Sequence, residues 1–202
     1  MAQTTSQDNQ ALLTEFLSRI CRRKMAGELF DEVVERIPAA VLVNRSREIA
    51  DTHALVVICN VLRKKKSSPS VAKWLIRLLR HNDPGVRSAA AEALGDLGVR
   101  SAAPQLYGLF KDKNNPVYVR DNCAMALGLL KYRKAARELE KGLDSQHRTI
   151  RLTSAFALGN IGLRSGKEKR KPEASRMVRK VGVTKSRGQV LHCNIRSHEP
   201  AV

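Results

Sequence analysis

Three stretches of the sequence share nearly the same pattern, and this internal repeat constrains the fold more than any other feature. They cover residues 86–98, 119–131 and 150–162. Each has an arginine as its second residue and Ala-Leu-Gly at the same later position, and the arginines are 33 and 31 residues apart. A period of about 30 residues is typical of chains that stack small helical units, because one unit cannot bury its apolar face alone. The repeat therefore predicts a solenoid.

Each unit is predicted to be a pair of helices. In the first stretch, Val86, Ala90 and Leu94 recur at the spacing of one buried helical face. Asp83 followed by Pro84 suits a helix cap and a first helical turn. Another amphipathic stretch precedes each repeat, so each unit contains two helices. The low aromatic content, 4%, favours closely packed helices over an aromatic-rich β-sandwich. Further caps are predicted at Ser70 and Asn115.

The repeated pattern resembles a known family. Asp-Pro-x-Val-Arg-x-x-Ala-Ala-x-Ala-Leu-Gly-x-Leu-Gly, closest to consensus over residues 83–98, is similar to the short HEAT repeats named after phycobilisome lyases. The resemblance covers about residues 70–162. It implies an all-α, right-handed helix-pair solenoid, a superhelix of the HEAT or armadillo type. Such repeats serve scaffolds, lyases and regulatory subunits alike, so the resemblance implies a fold and leaves the function open.

The segments around the repeats predict the domain organisation. Residues 1–62 lack the repeat pattern and are predicted to form an N-terminal helical cap. Residues 63–69 are predicted as a basic linker before the repeats at 70–162. Residues 163–202 are predicted as a basic, mostly flexible tail, in which residues 172–182 keep helical spacing and are expected to form a short capping helix. The helices of the N-terminal cap are expected at about 9–23, 27–37 and 46–62.

The charge distribution indicates where a polyanion would bind. The chain has 37 Lys and Arg against 19 Asp and Glu, a net charge of +18. Residues 63–162 contain 19 basic and 8 acidic residues, and residues 163–202 contain 11 and 3. Nucleic acid is one candidate partner, since basic clusters bind phosphates. A solvated linker and tail is the other interpretation, because aromatic residues for base stacking are absent beside both clusters. The candidate residues are Arg63, Lys64, Lys65, Lys66, Lys167, Lys169, Arg170 and Lys171.

The second helices of the repeats predict a protein-binding surface. The ridge opposite their buried face changes from acidic in the first repeat to apolar in the second and third. In such solenoids this ridge tends to line the concave surface, and a contiguous apolar column there needs a partner or a covering segment. A protein partner and coverage by the chain's own tail both remain open. The candidate partner-binding residues are Glu92, Met125, Leu129, Leu152 and Phe156.

The sequence holds no pattern that carries catalysis or metal binding. Its longest apolar run, residues 54–62, is far shorter than the roughly 18 residues of a membrane span. The polar N-terminus is unlike a signal peptide and the cysteines are scattered, so we expect a cytoplasmic protein with reduced thiols. His192-Cys193 and His198-Glu199 have no second ligand pair at metal spacing. We therefore expect no metal, no cofactor and no catalytic residue.

These observations favour a non-catalytic adaptor or scaffold that binds a protein along the concave face of the solenoid. The repeat subtype leaves a second hypothesis, a subunit of a phycobilin-type chromophore lyase. The charge leaves a third, a nucleic-acid-binding HEAT module. Nothing in the sequence predicts an oligomeric state.

Overall fold

The structure, a computed structural model, describes residues 2–21 and 27–162, and within these ranges it contains ten α-helices and no strand. The predicted tail and its capping helix lie outside the described residues. Short 3-10 turns at Arg100–Ala102 and Arg133–Ala135 precede α7 and α9. The helices are α1 (Ala2–Cys21), α2 (Gly27–Arg36), α3 (Ala39–Ser46), α4 (Thr52–Arg63), α5 (Pro69–Leu78), α6 (Pro84–Asp96), α7 (Ala103–Lys111), α8 (Val117–Leu129), α9 (Ala136–Gly142) and α10 (Arg148–Ile161).

The helices are arranged as stacked pairs. The pairs are α3 with α4, α5 with α6, α7 with α8, and α9 with α10. The second helices of the pairs, α4, α6, α8 and α10, also pack side by side in that order, while α1 and α2 pack on each other and on α4. This arrangement confirms the predicted all-α helix-pair solenoid. Its core is one continuous cluster of mainly aliphatic side chains.

Contacts between α6 and α8 show that the second helices run parallel. Near their N-terminal ends, Asn122 Nδ2 donates a hydrogen bond of 2.9 Å to Ser88 Oγ. Near their C-terminal ends, a Cβ placed on Gly95 would lie 2.9 Å from the Cα of Ala126. The N-terminal half of α6 thus contacts the N-terminal half of α8, and the same holds for the C-terminal halves. The C-terminal ends of these helices therefore lie at the same edge of the stack. The pairs Asp121–Thr153 and Gly128–Ala157 give α8 and α10 the same order.

The ends of the repeat helices follow from local chemistry. The Oδ1 of Asp83 accepts a hydrogen bond of 3.0 Å from the backbone N–H of Val86, so the predicted cap of α6 is confirmed. Gly98 and Gly162 have φ angles of 68° and 79°, the left-handed conformation that glycine adopts at helix C-terminal ends. Lys131 occupies the same place in the second repeat with a φ of 53°.

Two predicted caps are wrong. Ser68, rather than Ser70, caps α5 by accepting from the backbone N–H of Val71. The helix α8 begins after Pro116 without a side-chain cap. The side chain of Asn115 instead contacts the preceding helix pair: its Oδ1 accepts a hydrogen bond of 3.1 Å from Arg87.

The N-terminal region also differs from its prediction. The helix expected over residues 46–62 begins only at Thr52, and α3 (Ala39–Ser46) is a helix that the sequence did not predict. Asp51 starts α4 by accepting a hydrogen bond of 2.9 Å from the N–H of Ala54. Since α4 extends to Arg63, the connection to α5 begins one residue later than the predicted linker.

Candidate functional site

The solvent-facing side of α4, α6, α8 and α10 forms one surface, which we call the inner-helix face. On α8, the residues that reach solvent there are Tyr118, Asn122, Met125 and Leu129, at the spacing of one helical stripe. Tyr118 is 50% exposed and Leu129 is 38% exposed. Sequence reasoning missed Tyr118, although its position seven residues before Met125 places both on one face.

The neighbouring helix α10 continues this apolar surface. Phe156 is 37% exposed and occupies the position in α10 that Met125 occupies in α8. Val41 on α3 is the one other large apolar side chain with comparable exposure in the described part of the chain. Three of four such side chains therefore lie on two adjacent helices. We define Tyr118, Met125, Leu129 and Phe156 as the apolar patch.

The same face carries an ion-pair cluster in the preceding repeat. The Nε of Arg63, at the end of α4, lies 3.0 Å from Asp96 Oδ2, and its Nη1 pairs with Glu92 Oε1. The Arg63 side chain is only 19% exposed. Within the fold, Arg63 is therefore paired with both carboxylates, and Glu92 remains partly exposed beside it. The inner-helix face passes from this ion-pair cluster, in which one arginine pairs with two carboxylates, to the apolar patch.

The structure places Leu152 differently from the other predicted partner-binding residues. It corresponds in the repeat to Ser88 and Asp121, which are buried against the next second helix. Since α10 has no such neighbour among the described residues, Leu152 is half-buried on the side of α10 that faces away from α8. It lies beside the apolar patch rather than within it.

Asp121 is a buried carboxylate between two second helices. It is 7% exposed and accepts a hydrogen bond of 2.6 Å from Thr153 Oγ1. Burial raises the pKa of Asp121, and the hydrogen bond from Thr153 opposes part of that shift. Its contact with α10 makes it part of the stacking surface.

Two lysines of the predicted polyanion cluster are engaged within the fold. The Nζ of Lys64 lies 5.0 Å from the ring centroid of Phe30 and 3.7 Å from Asp31 Oδ1. Lys65 Nζ donates a hydrogen bond to the carbonyl oxygen of Val34. Partial burial lowers the pKa of Lys65. These two cations tie the connection after α4 back to α2.

The rest of the predicted polyanion set divides in two. Lys66 is exposed and has no ion pair or hydrogen bond with another described side chain. The remaining members, Lys167, Lys169, Arg170 and Lys171, lie outside the described residues.

The repeated arginines have a structural role. Arg87 Nη1 donates hydrogen bonds of 2.8 and 2.7 Å to the carbonyl oxygens of His81 and Asn82. These bonds satisfy backbone groups of the turn within each helix pair. Arg151 acts in the same way by donating to Ser145 O and Gln146 O, whereas Arg120 donates to Phe110 O in the last turn of α7.

The buried cysteines are poor nucleophiles. Burial raises the pKa of Cys123 to about 12, with partial compensation by the nearby positive charge of Arg87. Burial also raises the pKa of Cys59. Since the thiolate is the reactive form, both thiols are inert in the folded chain.

The described ranges, residues 2–21 and 27–162, also bear on metal binding and on membrane insertion. No three His, Cys, Asp or Glu side chains in them are grouped to hold a metal ion. No helix in them has the length and apolar character to cross a membrane. No metal site is expected at His192-Cys193 and His198-Glu199, and these residues lie outside the described ranges.

Stacked antiparallel helix pairs with side-by-side second helices define a helical-repeat solenoid. Residues 40–118 match the sequence model of a family described as HEAT repeats. The match starts in α3 and therefore includes two helices that sequence reasoning assigned to an N-terminal cap. No curated protein matches the chain.

Proposed function

We propose that the chain is a non-catalytic adaptor or scaffold that binds a protein partner through the apolar patch. HEAT repeats generally act as protein-interaction scaffolds. The observation that carries the proposal is the concentration of exposed apolar side chains on α8 and α10. Tyr118, Leu129 and Phe156 are each more than one-third exposed. Contact between water and a group of such apolar side chains is unfavourable, so the group is expected to bind a partner.

The arrangement of the patch suits a binding hot spot. Aromatic side chains supply large contact area at low conformational cost and are enriched in hot spots. The backbones of α8 and α10 approach closely, since a Cβ on Gly128 would lie 2.5 Å from the Cα of Ala157. Tight packing beneath the patch holds it in place before binding, so a partner loses little free energy in ordering it.

The ion-pair cluster beside the patch supplies a polar border. Glu92 is 39% exposed and Arg63 is 19% exposed, so the partner meets a paired charge there. Hot spots are commonly surrounded by polar contacts that exclude water and add little binding energy themselves. We expect the partner to present an apolar surface toward α8 and α10 and a polar one toward α6.

The test compares two variants that place acidic residues on differently located apolar positions of similar exposure. Leu129→Glu with Phe156→Glu disrupts the patch, whereas Val41→Glu changes an exposed valine on α3. Wild type and variants are used for affinity capture from cells that express the protein, and the recovered partner is then titrated. We expect the patch variant to lose about 2–4 kcal/mol of binding free energy, the scale of hot-spot losses, and Val41→Glu to bind like wild type. Equal binding by all three proteins would reject the patch.

The chromophore-lyase hypothesis remains a prediction from the repeat subtype. The same capture distinguishes it, because a lyase subunit would recover a second lyase subunit or a pigment protein. We also retain the expectation of a cytoplasmic location.

A further inference from the structure

The parallel second helices bring three separate loops to one edge of the stack. The connections from each pair to the next follow the C-terminal ends of α4, α6 and α8. Because these ends lie at the same edge, residues 64–68, 97–102 and 130–135 lie there together. We call these three loops the basic edge. Neighbouring helices pack about 8–10 Å apart, so the three loops extend over about 20 Å.

The basic edge has a strongly one-sided charge. Its loops contain seven basic and no acidic residues. The turns within the pairs, at the opposite edge, contain three basic and five acidic residues. The loops at one edge of the stack therefore have a positive net charge, and the turns at the other edge have a negative one. The turns at the opposite edge are residues 47–51, 79–83, 112–116 and 143–147.

Most cations of the basic edge are not used by the fold. Lys64 and Lys65 contact α2, as described above. The other five are exposed, and they form no ion pair or side-chain hydrogen bond with the residues that the structure describes. These five are Lys66, Arg100, Lys131, Arg133 and Lys134.

Lys131 adds a cation to the edge in an unusual backbone conformation. It has a φ of 53° at the position where the other two repeats have Gly98 and Gly162. A non-glycine residue in this conformation costs about 1 kcal/mol or more. The second repeat thus has a lysine where the other two repeats have a glycine and where the backbone conformation favours glycine.

We propose that the basic edge binds the phosphate backbone of duplex nucleic acid without sequence preference. A span of about 20 Å corresponds to about six base pairs at 3.4 Å per step. Guanidinium groups such as those of Arg100 and Arg133 fit phosphate with paired donors. Tyr132, the aromatic residue of these loops, packs on Tyr107 with ring centroids 6.2 Å apart. It is therefore occupied within the fold, which favours backbone contacts over base stacking.

The observations favour nucleic acid over an anionic membrane. Membrane-surface binding by a folded domain gains from apolar side chains inserted beside the charges. The exposed large apolar side chains of the described residues lie on α3, α8 and α10, and none lies in the three loops. The edge shares no residue with the apolar patch, so this proposal does not rest on the proposed protein-binding function.

The test neutralises four charges at one edge and four at the other. The edge variant is Arg100→Gln, Lys131→Gln, Arg133→Gln and Lys134→Gln. The matched control is Arg47→Gln, Arg80→Gln, Lys113→Gln and Arg148→Gln, which removes the same total charge from exposed positions at the opposite edge. Full-length proteins are titrated into a labelled DNA duplex of about 20 base pairs over a range of salt concentrations, and circular dichroism checks their folding.

We expect wild type to bind with a steep salt dependence. The edge variant should lose at least about tenfold in affinity, and the slope of log K against log salt should fall by about 0.9 for each contact removed. The control should keep the wild-type slope. No wild-type binding, equal losses in both variants, or an unchanged slope in the edge variant would each overturn the proposal. Binding to phosphatidylserine vesicles but not to the duplex would overturn it in favour of a membrane.

Discussion

Asp121 is the residue whose protonation is most closely coupled to the stack. Its carboxylate lies between α8 and α10 and accepts a hydrogen bond from Thr153. Because burial raises its pKa above that of the unfolded chain, the folded protein binds this proton more tightly. Its favourable contribution is present in full below the ordinary aspartate pKa of about 3.9 and is lost as pH rises through the raised value.

Replacing Asp121 with Asn should remove this pH dependence. The amide oxygen of Asn can still accept from Thr153, whereas the side chain no longer ionises. Relative to wild type, Asp121→Asn should therefore gain stability as pH rises from about 4 to 7. Urea unfolding at several pH values measures this difference, with Asp31→Asn as the control because that side chain is 73% exposed. A constant difference between Asp121→Asn and wild type over this range would contradict the coupling.

At the scale of helices, close packing depends on glycines that face the next pair. A Cβ on Gly128 would lie 2.5 Å from the Cα of Ala157, and backbone atoms would have to move to admit it. Gly159 is the equivalent residue of α10, and a Cβ there would meet no described atom within 4 Å. The same substitution therefore has opposite physical consequences in adjacent repeats.

The pair of variants Gly128→Ala and Gly159→Ala should shift stability in opposite directions. Overpacking at Gly128 should cost about 1–3 kcal/mol. At Gly159, the better helix propensity of alanine should raise the free energy of unfolding by about 0.5–1 kcal/mol. Chemical denaturation of both variants gives the two values. A loss at Gly159 comparable to that at Gly128 would mean that another segment or molecule covers this side of α10.

At this scale, the sequence predicts the features that depend on residues close together in the chain, and it misses those that depend on contacts between repeats. The helices around Asp83 were predictable because a cap, a proline and apolar spacing occur within one short stretch. Repeat equivalence indicated that Met125 and Phe156 occupy the same helix position; Phe156 is exposed and Met125 is half-buried. The position of Leu152 did not follow from repeat equivalence, because the direction in which the pairs stack decides which side of a helix is covered. Arg63 was assigned to a linker because its partners, Glu92 and Asp96, lie about one repeat away in sequence.

At the scale of the whole molecule, the two proposed surfaces occupy different sides of one stack. The apolar patch lies on the outward side of α8 and α10, whereas the basic edge lies at the C-terminal ends of α4, α6 and α8. A protein and a duplex could therefore be bound together without competing for the same side chains. The charge that favours the duplex is shared between the basic edge and residues 163–202, which contain 11 basic and 3 acidic residues.

A truncation after Gly162 separates the contributions of the repeats and the final 40 residues. Gly162 ends α10 in the left-handed conformation, and the core described here lies entirely before it. We expect the truncated protein to unfold cooperatively, with a free energy within about 0.5 kcal/mol of the full chain, as for changes outside packed contacts. Its duplex affinity should fall because tail charges are lost. The difference between the edge variant and its control should nevertheless persist in the truncated background. A less stable truncated protein would instead show that residues after Gly162 cover the side of α10 around Gly159, as a C-terminal cap does in a solenoid.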